Sequence, residues 1–476
     1  MKALIIGSGG REHALAWKLG QSPAARAVFT APGNFGTNLV GSNVHIPATE
    51  PDALAEWAEQ NQIDLTVVGP ESALACGVVD TFSARGLPVF GPTRAAAQLE
   101  TSKSWAKAFM QRHGIPTAPH RDFEIADDAV SYLEGLAASD YPVVVKADGL
   151  ASGKGVTVAP DRETAIGAVR DVLAPVRRGA QSRVLVEGFL EGYEVSFMAI
   201  CDGKMAVPLA PSRDYKRARD GNTGPMTGGM GAYTPVATAD DAFVEEVMRT
   251  IVRPTVEGMA TEGVPYQGIL YAGLMVTRAG PKVLEFNARF GDPETQVLMP
   301  RLDTDLYLAL QAAMDGQLDQ LGPLKWSSDA VCGVVIASDG YPGEVETGYG
   351  VVGLGDLGSG AYVFHNGTRN PFIKDTPIVS PRIRPIPKGM FGGRGLAGFL
   401  LPSRAGGQTA DSQAAGMARD RASQVITAGG RVLTVVGRGR TLAEARGKAY
   451  AAAQTVQFTG SWCRSDIAAD DGELGA

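Results

Sequence analysis

The chain has 476 residues, which is too many for one hydrophobic core and predicts roughly three domains at about 150 residues each. Hydrophobic residues make up 44% and charged residues 20%, a composition typical of folded globular proteins rather than disordered or fibrous ones. The net charge of -7 argues against nucleic-acid binding, which requires a basic surface. No apolar run approaches the roughly 18 residues of a membrane-spanning helix, and no signal peptide is evident, so we expect a soluble, cytoplasmic protein without membrane contacts.

The first hundred residues alternate short β-branched runs with amphipathic stretches. Strands are predicted at 3–6, 28–30, 65–68 and 89–90, and helices from about Arg11, over 51–60 and near 78–84. Strands and helices that alternate at this spacing form a parallel sheet covered on both faces. We therefore predict an N-terminal parallel-sheet domain over residues 1–100.

The middle of the chain mixes helices and strands less regularly. Helices are predicted at 101–113, 162–173 and up to about Glu262, and strands at 142–147, 155–158, 183–187, 268–276 and 282–287, with a long polar loop at 211–235. This pattern defines a second domain over 101–325. After 326, strands at 330–337, 362–364 and 431–437 and a helix at 442–453 predict a third, sheet-rich domain over 326–476.

Residues 371–420 differ in composition from the rest of the third domain. They contain six prolines and eight glycines, with seven Lys or Arg against three Asp. Such a stretch has too little apolar surface to offset its ordering entropy. We expect a mobile insertion here, dispensable for catalysis, although its positive charge leaves open a contact with an acidic partner or an anionic substrate.

The cysteines and histidines do not suggest a metal or disulfide framework. Cys76, Cys201, Cys332 and Cys463 lie far apart without a Cys-x-x-Cys pair, and the five histidines form no zinc-binding motif. We expect four ordinary thiols.

The N-terminal motif GSGGREHA lies between a predicted strand and a predicted helix. Backbone amides of this motif and the N-terminus of the helix are therefore available to bind a phosphate or another anion. A dinucleotide fingerprint would need glycine or alanine where Glu12 stands, and an acidic residue at the end of the second strand, where the chain reads Phe-Thr-Ala. A tight turn without a ligand is the remaining alternative.

The segment PVVVKADGLASGKGV, residues 142–156, combines a buried strand with a glycine-rich loop. It is not a Walker A loop, because the glycine spacing is one residue short and Gly155 occupies the Ser/Thr position. Lys146 at the strand end and Lys154 in the loop are suited to polyphosphate, although a lysine at a strand end is often only solvated.

The segment KVLEFNARFGDPETQ, residues 282–296, concentrates polar side chains on one strand. A period of two places Glu285, Asn287 and Arg289 on one face, where burial would be costly without an ion or ligand. A carboxylate beside an amide oxygen suits Mg2+ shared with substrate phosphates, and a polar strand face without a ligand is the alternative. The loop 211–235, with five glycines, is either disordered or an active-site loop, and we favour the latter.

Together, GSGGREHA, VGPE, KADGLASGKGV, TGGMGAY and EFNARFGDPETQ occur in an order that resembles the ATP-grasp superfamily, and its phosphoribosylamine–glycine ligase family in particular. The resemblance covers nearly the whole chain outside 371–420. It implies a pre-ATP-grasp domain at 1–100, an ATP-grasp domain at 101–325 with a lid subdomain at about 122–188, and a C-terminal domain at 326–476. It also implies a C–N ligase of purine biosynthesis that joins glycine to 5-phosphoribosylamine through glycyl phosphate, using ATP and Mg2+ or Mn2+.

The resemblance also assigns roles to individual residues. Lys103 and Lys146 would bind ATP phosphates, with Gly153, Lys154 and Gly155 as a closing lid, and Glu187 and Glu194 would border the adenine and the ribose. Glu285 and Asn287 would hold the metal. Catalysis would depend on Arg289, Lys146 and Asp214, with Arg289 at glycine's carboxylate and Asp214 at its amine. Phosphoribosylamine would be bound by Gly9, Gly10, Arg11 and Glu71.

Four positions depart from the family pattern: Tyr215 replaces a usual histidine, Asn222 an aspartate, Met226 an asparagine and Ser8 an asparagine. An ATP-grasp ligase that acts on another carboxylate is therefore the main rival, and a silent nucleotide-binding module is a further alternative. We expect a monomer that acts on small molecules only.

Overall fold

The computed structural model describes residues 1–150, 155–174, 183–355, 357–372 and 424–469. Its N-terminal domain contains a parallel five-stranded sheet in the order β3-β2-β1-β4-β5, as the alternation of strands and helices predicts. The elements are β1 (Lys2–Gly7), α1 (Gly10–Leu19), β2 (Ala27–Pro32), α2 (Thr37–Val40), β3 (Ser42–Asn43), α3 (Pro51–Gln60), β4 (Leu65–Val68), α4 (Glu71–Ala75), α5 (Val78–Ala84), β5 (Val89–Phe90) and α6 (Gln98–Thr101). Both α1 and α4 begin directly after β1 and β4, so their N-termini lie at the carboxyl edge of the sheet.

The second part of the chain begins with a small antiparallel sheet in the order β6-β9-β7-β8, covered by two helices. Its elements, with the helix that leads into it, are α7 (Lys103–Arg112), β6 (His120–Phe123), α8 (Ala126–Gly135), β7 (Val143–Ala147), β8 (Val156–Ala159), α9 (Arg162–Leu173) and β9 (Val184–Gly188), with a 3-10 turn at Ala138–Asp140. Apart from His120 and Arg121 of β6, this sheet falls in the range 122–188 predicted for the lid.

A second antiparallel sheet, ordered β11-β10-β16-β17, forms the floor of the molecule's main cleft. Elements of this part are β10 (Tyr193–Asp202), β11 (Ala206–Pro208), β12 (Arg213–Asp214), β13 (Arg217–Arg219), β14 (Thr223–Met226), β15 (Gly231–Thr234), α10 (Asp241–Val247), α11 (Arg253–Thr261), β16 (Gln267–Thr277), β17 (Gly280–Asn287), α12 (Glu294–Leu298), α13 (Leu306–Met314) and α14 (Leu318–Leu321). A π-helical turn at Met248–Val252 interrupts the single helix predicted to end near Glu262.

The C-terminal domain contains β18 (Ala330–Ser338), β19 (Ala361–His365), β20 (Thr368–Arg369), β21 (Ile426–Thr427), β22 (Arg431–Gly439), α15 (Leu442–Thr455) and β23 (Ser461–Trp462). Its sheet has the order β12-β15-β18-β22-β19, with β23 beside β18. Two of these strands, β12 and β15, come from the glycine-rich stretch 211–235. The prediction of a structureless loop there is therefore wrong, because the stretch joins a sheet whose other strands start about a hundred residues later.

The mixed α/β and α+β architecture is as predicted. Buried apolar side chains of the N-terminal sheet, the floor sheet and the C-terminal sheet belong to shared clusters, so the three units pack on one another. No described helix has the length and apolarity needed to cross a membrane. All four cysteines are free thiols. The predicted insertion 371–420 lies, from residue 373 onward, outside the described residues.

Candidate active site

One cleft of about 1680 Å³ is lined by residues from all parts of the chain. It brings together twelve residues singled out from the sequence: Gly9, Arg11, Glu71, Lys103, Lys146, Gly155, Glu187, Glu194, Asp214, Glu285, Asn287 and Arg289. Gly10 does not line the cleft. A Cβ atom there would lie 2.0 Å from Asn366 Oδ1, so close packing against the C-terminal domain accounts for this glycine. Gly153 and Lys154 lie outside the described residues.

Lys146 lies in a buried cluster of charges between β7 and β9. Its Nζ is 3.0 Å from Glu187 Oε2 and donates to the carbonyl oxygen of Leu284 at 2.9 Å. Lys107 approaches the same carboxylate oxygen at 2.9 Å, while burial lowers the pKa of Lys107 to about 8 despite the attraction of Glu187. Glu187 is thus held between two lysines, and its second oxygen is buried without a hydrogen-bond partner among the described residues.

Lys103 begins α7 directly beside the strand that carries Lys146. The side chain of Ser102 caps the helix by accepting from the Trp105 amide, which explains where α7 begins. The Lys103 amide donates to Asp148 Oδ1 at 2.6 Å, and its Nζ donates to the carbonyl oxygen of Gly149 at 2.8 Å. These bonds hold a second cation against the loop that follows β7.

Glu285 and Asn287 face the cleft from the end of β17. The pairing of β16 with β17 shifts register between Gly273, which lies opposite Glu285, and Leu274, which lies opposite Val283. Leu284 is therefore an extra residue on β17, a β-bulge that interrupts the alternation of side chains between the two faces of the sheet. Burial alone would raise the pKa of Glu285, but nearby cations, Lys216 first, more than compensate, and the pKa is lowered. Glu285 is therefore a carboxylate within a cationic environment.

Arg289 follows β17 rather than belonging to it, so the predicted common strand face extends only to Asn287. Its Nη2 nevertheless donates to Asn287 Oδ1 at 3.1 Å, and its Nε lies 3.2 Å from Glu71 Oε2. Burial by itself would raise the pKa of Glu71, but the guanidinium groups of Arg289 and Arg11 outweigh it and lower the pKa to about 2. A second carboxylate, Glu100, lies 3.0 Å from Arg289.

Asp214 faces a second carboxylate that the sequence interpretation missed. Burial, and then the charge of Glu294, raise the pKa of Asp214 well above its usual range. Its Oδ1 is buried without a hydrogen-bond partner among the described residues. Glu294 Oε1 accepts from Tyr271 at 2.5 Å and from Ser196 at 3.0 Å. The sequence signal for Glu294 was its place in GDPE, directly after the strand that carries Glu285.

The N-terminal glycine motif is shaped around Glu12. The Gly9 amide donates to Glu12 Oε2 at 2.5 Å, and a Cβ atom at Gly9 would approach the same oxygen to 2.8 Å. Arg11 Nε also pairs with Glu12, at 2.6 Å. Glu12 therefore stands where a dinucleotide fingerprint has its third glycine or alanine, and its side chain holds the Gly9 amide.

Residues of the C-terminal domain complete the cleft, and sequence reasoning missed them. Arg431 Nη1 donates to the carbonyl oxygens of Gly228 and Asp292 and lies 3.3 Å from Asp292 Oδ1. Tyr341, Arg464 and Asp466 also line the cleft. They lie outside the glycine-rich and acidic motifs, so no local pattern distinguishes them from surface residues.

Three family models match the chain: Phosphoribosylglycinamide synthetase N domain over residues 1–100, ATP-grasp (A) domain over 101–295 and C domain over 400–470. Phosphoribosylamine–glycine ligase from Ralstonia nicotianae is 45% identical over 469 residues, which cover 98% of each chain. The chain belongs to the phosphoribosylamine–glycine ligase family. The enzyme of that name from Caulobacter vibrioides is 44% identical over 465 residues, with 98% of this chain and 97% of that protein covered.

Solved structures agree with this family. Phosphoribosylamine–glycine ligase from Thermotoga maritima superposes with a TM-score of 0.74 at 30% identity, covering 98% of this chain and all of that one. A biotin carboxylase from Campylobacter jejuni superposes with a TM-score of 0.62 at 14% identity, over 97% of this chain and 92% of that one. The latter likeness concerns the fold alone.

Proposed function

We propose that this member of the phosphoribosylamine–glycine ligase family joins glycine to 5-phosphoribosylamine at the expense of ATP, a step of purine biosynthesis. The supporting observation is the single cleft in which buried lysines, a carboxylate–amide pair and an arginine close to carboxylates converge. Three substrates must meet there, and the cleft's volume of about 1680 Å³ exceeds that of a typical site for one small molecule. The names of the curated relatives support the same reaction.

ATP lies, in this proposal, along the small β6–β9 sheet and the floor sheet. Lys103 and Lys146 bind its phosphates, and the loop of Gly153, Lys154 and Gly155 covers them. The strand end at Glu187 borders the adenine and Glu194 binds the ribose. Support for the lysines comes from their bonds to anchoring oxygen atoms, half-buried at Lys103 and buried at Lys146, which fix two positive charges at one side of the cleft.

Glu285 and Asn287 fit a magnesium or manganese ion. Both supply hard oxygen donors, and Glu285 stays ionised because its cationic neighbours lower its pKa. When bound, the ion would neutralise negative charge on the transferring phosphoryl group. Lys216, whose Nζ is 4.0 Å from Glu285 and 3.1 Å from Glu194, links this pair to the ribose side of the ATP site.

Glycine is bound between Arg289 and Asp214. The Arg289 guanidinium can receive its carboxylate, because Arg forms paired hydrogen bonds with planar anions. Asp214 Oδ1 is buried without a hydrogen-bond partner among the described residues, and the ammonium group of glycine would give it both a donor and an opposite charge. Glu294 adds a second carboxylate beside Asp214. A Cβ atom on Gly229 would approach Asp214 Oδ1 to 2.7 Å, so only glycine leaves room for this carboxylate here.

Phosphoribosylamine lies at the carboxyl edge of the N-terminal sheet. The N-terminus of α1 at Gly9 and the Arg11 guanidinium provide a positive end for its phosphate. The Gly9 amide donates to Glu12 Oε2 at 2.5 Å, so Glu12 would have to shift for this amide to bind the phosphate. Glu71, at the first position of α4, can accept from ribose hydroxyl groups.

The reaction proceeds in two steps. A glycine carboxylate oxygen attacks the γ-phosphorus of ATP, the bond to the β-phosphate oxygen breaks, and glycyl phosphate and ADP form. The amine of phosphoribosylamine then attacks the glycyl carbonyl carbon, phosphate leaves, and the amine loses a proton. Lys146 and Arg289 stabilise charge that develops on the phosphoryl and carboxyl oxygens, so positioning and electrostatics provide the catalysis.

We further propose that the protein acts as a monomer in the cytoplasm. All the groups to which we give a role come from one chain, so the chemistry needs no residue from a second copy.

The test is phosphate release with the purified chain, ATP, Mg2+, glycine and freshly generated phosphoribosylamine. Release that requires both glycine and phosphoribosylamine, with glycinamide ribonucleotide detected by mass spectrometry, is the expected result. Alanine, serine and β-alanine, each tested in place of glycine, distinguish this activity from that of an ATP-grasp ligase that acts on another carboxylate. Tyr215, Asn222 and Met226, which depart from the family pattern, all line the cleft, so preferential use of another amino acid would overturn the assignment of glycine.

A further inference from the structure

The C-terminal segment, residues 463–469, packs against the glycine-rich stretch that carries Asp214. Arg464 is only 2% exposed and pairs in a two-pronged manner with Asp466, at 2.7 and 2.6 Å. Its remaining Nη1 donates to the carbonyl oxygen of Arg217 at 2.8 Å. Asp466 in turn accepts from the Gly221 amide at 2.8 Å, so this buried ion pair holds two points of the β13–β14 hairpin.

Tyr215 forms the second connection between the C-terminal segment and this stretch. Its ring lies 4.9 Å beneath the Arg464 guanidinium, and its hydroxyl oxygen accepts from the Ala468 amide at 3.0 Å. Tyr215 is 5% exposed, and its backbone pairs with Gly231 and Met230. This chain has tyrosine where its family usually has histidine, so the hydroxyl contact depends on a residue that departs from the family pattern.

The two neighbours of Tyr215 are the residues whose positions matter for the substrates. Tyr215 lines the cleft together with Asp214 and Lys216, while its hydroxyl group reaches the C-terminal segment. Lys216 lies 3.1 Å from Glu194, and Asp214 lies beside Glu294. A shift of Tyr215 would therefore move both cleft-facing side chains.

The C-terminal segment is itself fixed to α15. Arg446 donates to the carbonyl oxygens of Ser465 and Ile467 at 2.7 and 2.9 Å. Tyr450 donates to the carbonyl oxygen of Arg464 at 2.8 Å and accepts from the Ile467 amide at 3.0 Å. Contacts thus run without a break from a long helix of the C-terminal domain to the residue beside Asp214.

We propose that Arg464 and Tyr215 are positioning residues, through which the C-terminal segment sets the place of Asp214 and thereby the affinity for glycine. The proposal rests on the proposed function, in which Asp214 binds the glycine amine. Neither residue contacts a reacting atom; each acts through the backbone of residues 214–217. Among the described residues, no hydrogen bond joins this segment to Lys103 or Lys146, whereas Lys216, which moves with Asp214, lies 3.1 Å from Glu194. The effect on glycine should therefore be larger than the effect on ATP.

Two substitutions and one control test the proposal in the full-length protein. Tyr215→Phe removes only the hydroxyl and its bond to Ala468, and Arg464→Lys keeps the charge but loses the two-pronged pairing. Arg440→Lys is the matched control, because this side chain is 92% exposed. We expect the KM for glycine to rise about fivefold in Tyr215→Phe and at least tenfold in Arg464→Lys, with a distinctly smaller rise in the KM for ATP.

Hydrogen exchange supplies a readout that does not depend on catalysis. The amides of Tyr215 and Met230, which form hydrogen bonds across the stretch, should exchange faster in Arg464→Lys than in the unsubstituted protein. Their exchange rates should not change in Arg440→Lys. An unchanged glycine KM, or equal rises in KM for all substrates together with a lower Tm, would overturn the proposal and leave the segment a purely structural role. If the unsubstituted protein does not use glycine, the proposed function is wrong. Amide exchange that is the same in Arg464→Lys and in the unsubstituted protein would separately overturn the positioning role of Arg464 and Tyr215.

Discussion

Charged side chains in the cleft are held by opposite charges that come from distant parts of the chain. Arg289 and Glu71 are 218 residues apart in sequence, and Lys146 is balanced by Glu187 from a neighbouring strand. Pairing reduces the free-energy cost of burying these groups before substrates arrive. The residue types could be predicted from their motifs, but the partners could not, because pairing depends on how strands and domains meet.

Replacing Glu285 by glutamine should abolish most turnover while the fold is retained. The substitution keeps the shape of the side chain but removes the charged oxygen donor proposed for the metal, and a loss on the order of a thousandfold in kcat is expected. Steady-state kinetics at saturating Mg2+, with Tm as a folding check, measure this. Glu257→Gln, an exposed change on α11, is the control. Near-normal kcat in Glu285→Gln would refute the metal assignment.

Replacing Glu71 by glutamine should impair the use of phosphoribosylamine without weakening ATP binding. Hydrogen bonds to a charged group contribute about 1.5–3 kcal/mol, so the KM for phosphoribosylamine should rise roughly ten- to a hundredfold. The KM for ATP should stay within twofold, and Glu50→Gln, at an exposed position before α3, should change neither constant. A selective loss of ATP affinity would instead move Glu71 to the nucleotide site.

At the scale of elements, periodicity predicted long helices and strands well and the glycine-rich stretch poorly. The predicted bounds of α3, α5, α9 and β4 agree with the structure because each follows one clear hydrophobic period. Strands β12 to β15 have only two to four residues each and lie in a stretch with five glycines, so they carry no such signal. They are strands because β15 pairs with β18, a tertiary contact that local sequence cannot reveal.

Deleting residues 371–420 should leave catalysis intact. The flanking strands β20 and β21 pair directly, with Arg369 opposite Ile426, so a short Gly-Ser linker can join the shortened ends. Shortening a loop changes its closure cost by only about 0.6 kcal/mol per halving. We expect Tm within a few degrees and kcat/KM for each substrate within twofold. A Gly-Ser segment of the original length is the control, and a salt-dependent loss confined to phosphoribosylamine would assign an electrostatic role to the deleted charges.

At the scale of the whole molecule, the sequence predicted three structural units. It did not show that one unit takes strands from another part of the chain or how the units contact one another. The C-terminal sheet takes β12 and β15 from the middle of the chain, and its Arg431 holds Asp292 beside the cleft. The N-terminal helix α1 packs against β19 of the C-terminal domain, where His13 and His365 meet. These contacts join residues hundreds of positions apart, so neither motifs nor periodicity could anticipate them.

The His13–His365 contact should make the closed arrangement of the N- and C-terminal domains sensitive to acid. The His365 amide donates to His13 Nδ1 at 3.0 Å, and His13 Nε2 is buried without a hydrogen-bond partner among the described residues. Burial lowers the pKa of His365 to about 3, and burial followed by repulsion from His365 lowers the pKa of His13 well below 6.5. Both rings are therefore neutral in the folded protein at neutral pH.

The direction of the pH effect follows from these shifts. Between about pH 6.5 and pH 3 the unfolded chain binds more protons at the two histidines than the folded chain does, so the free energy of unfolding falls as pH falls through this range. At about 1.4 kcal/mol per pH unit, lowering the pH from 6.5 to 5 should cost about 2 kcal/mol through His365, and His13 changes the stability in the same direction. Urea unfolding at pH 7.5, 6.5, 5.5 and 5 measures this loss.

In His13→Asn/His365→Asn, whose side chains do not titrate, the slope of stability against pH should be shallower than in the unsubstituted protein. His45→Asn, at a half-buried position away from this contact, should retain the original slope. Equal slopes in all three proteins would mean that other groups govern the acid response, whereas a shallower slope in the double substitution alone would identify this pair as the acid-sensitive junction between the two domains.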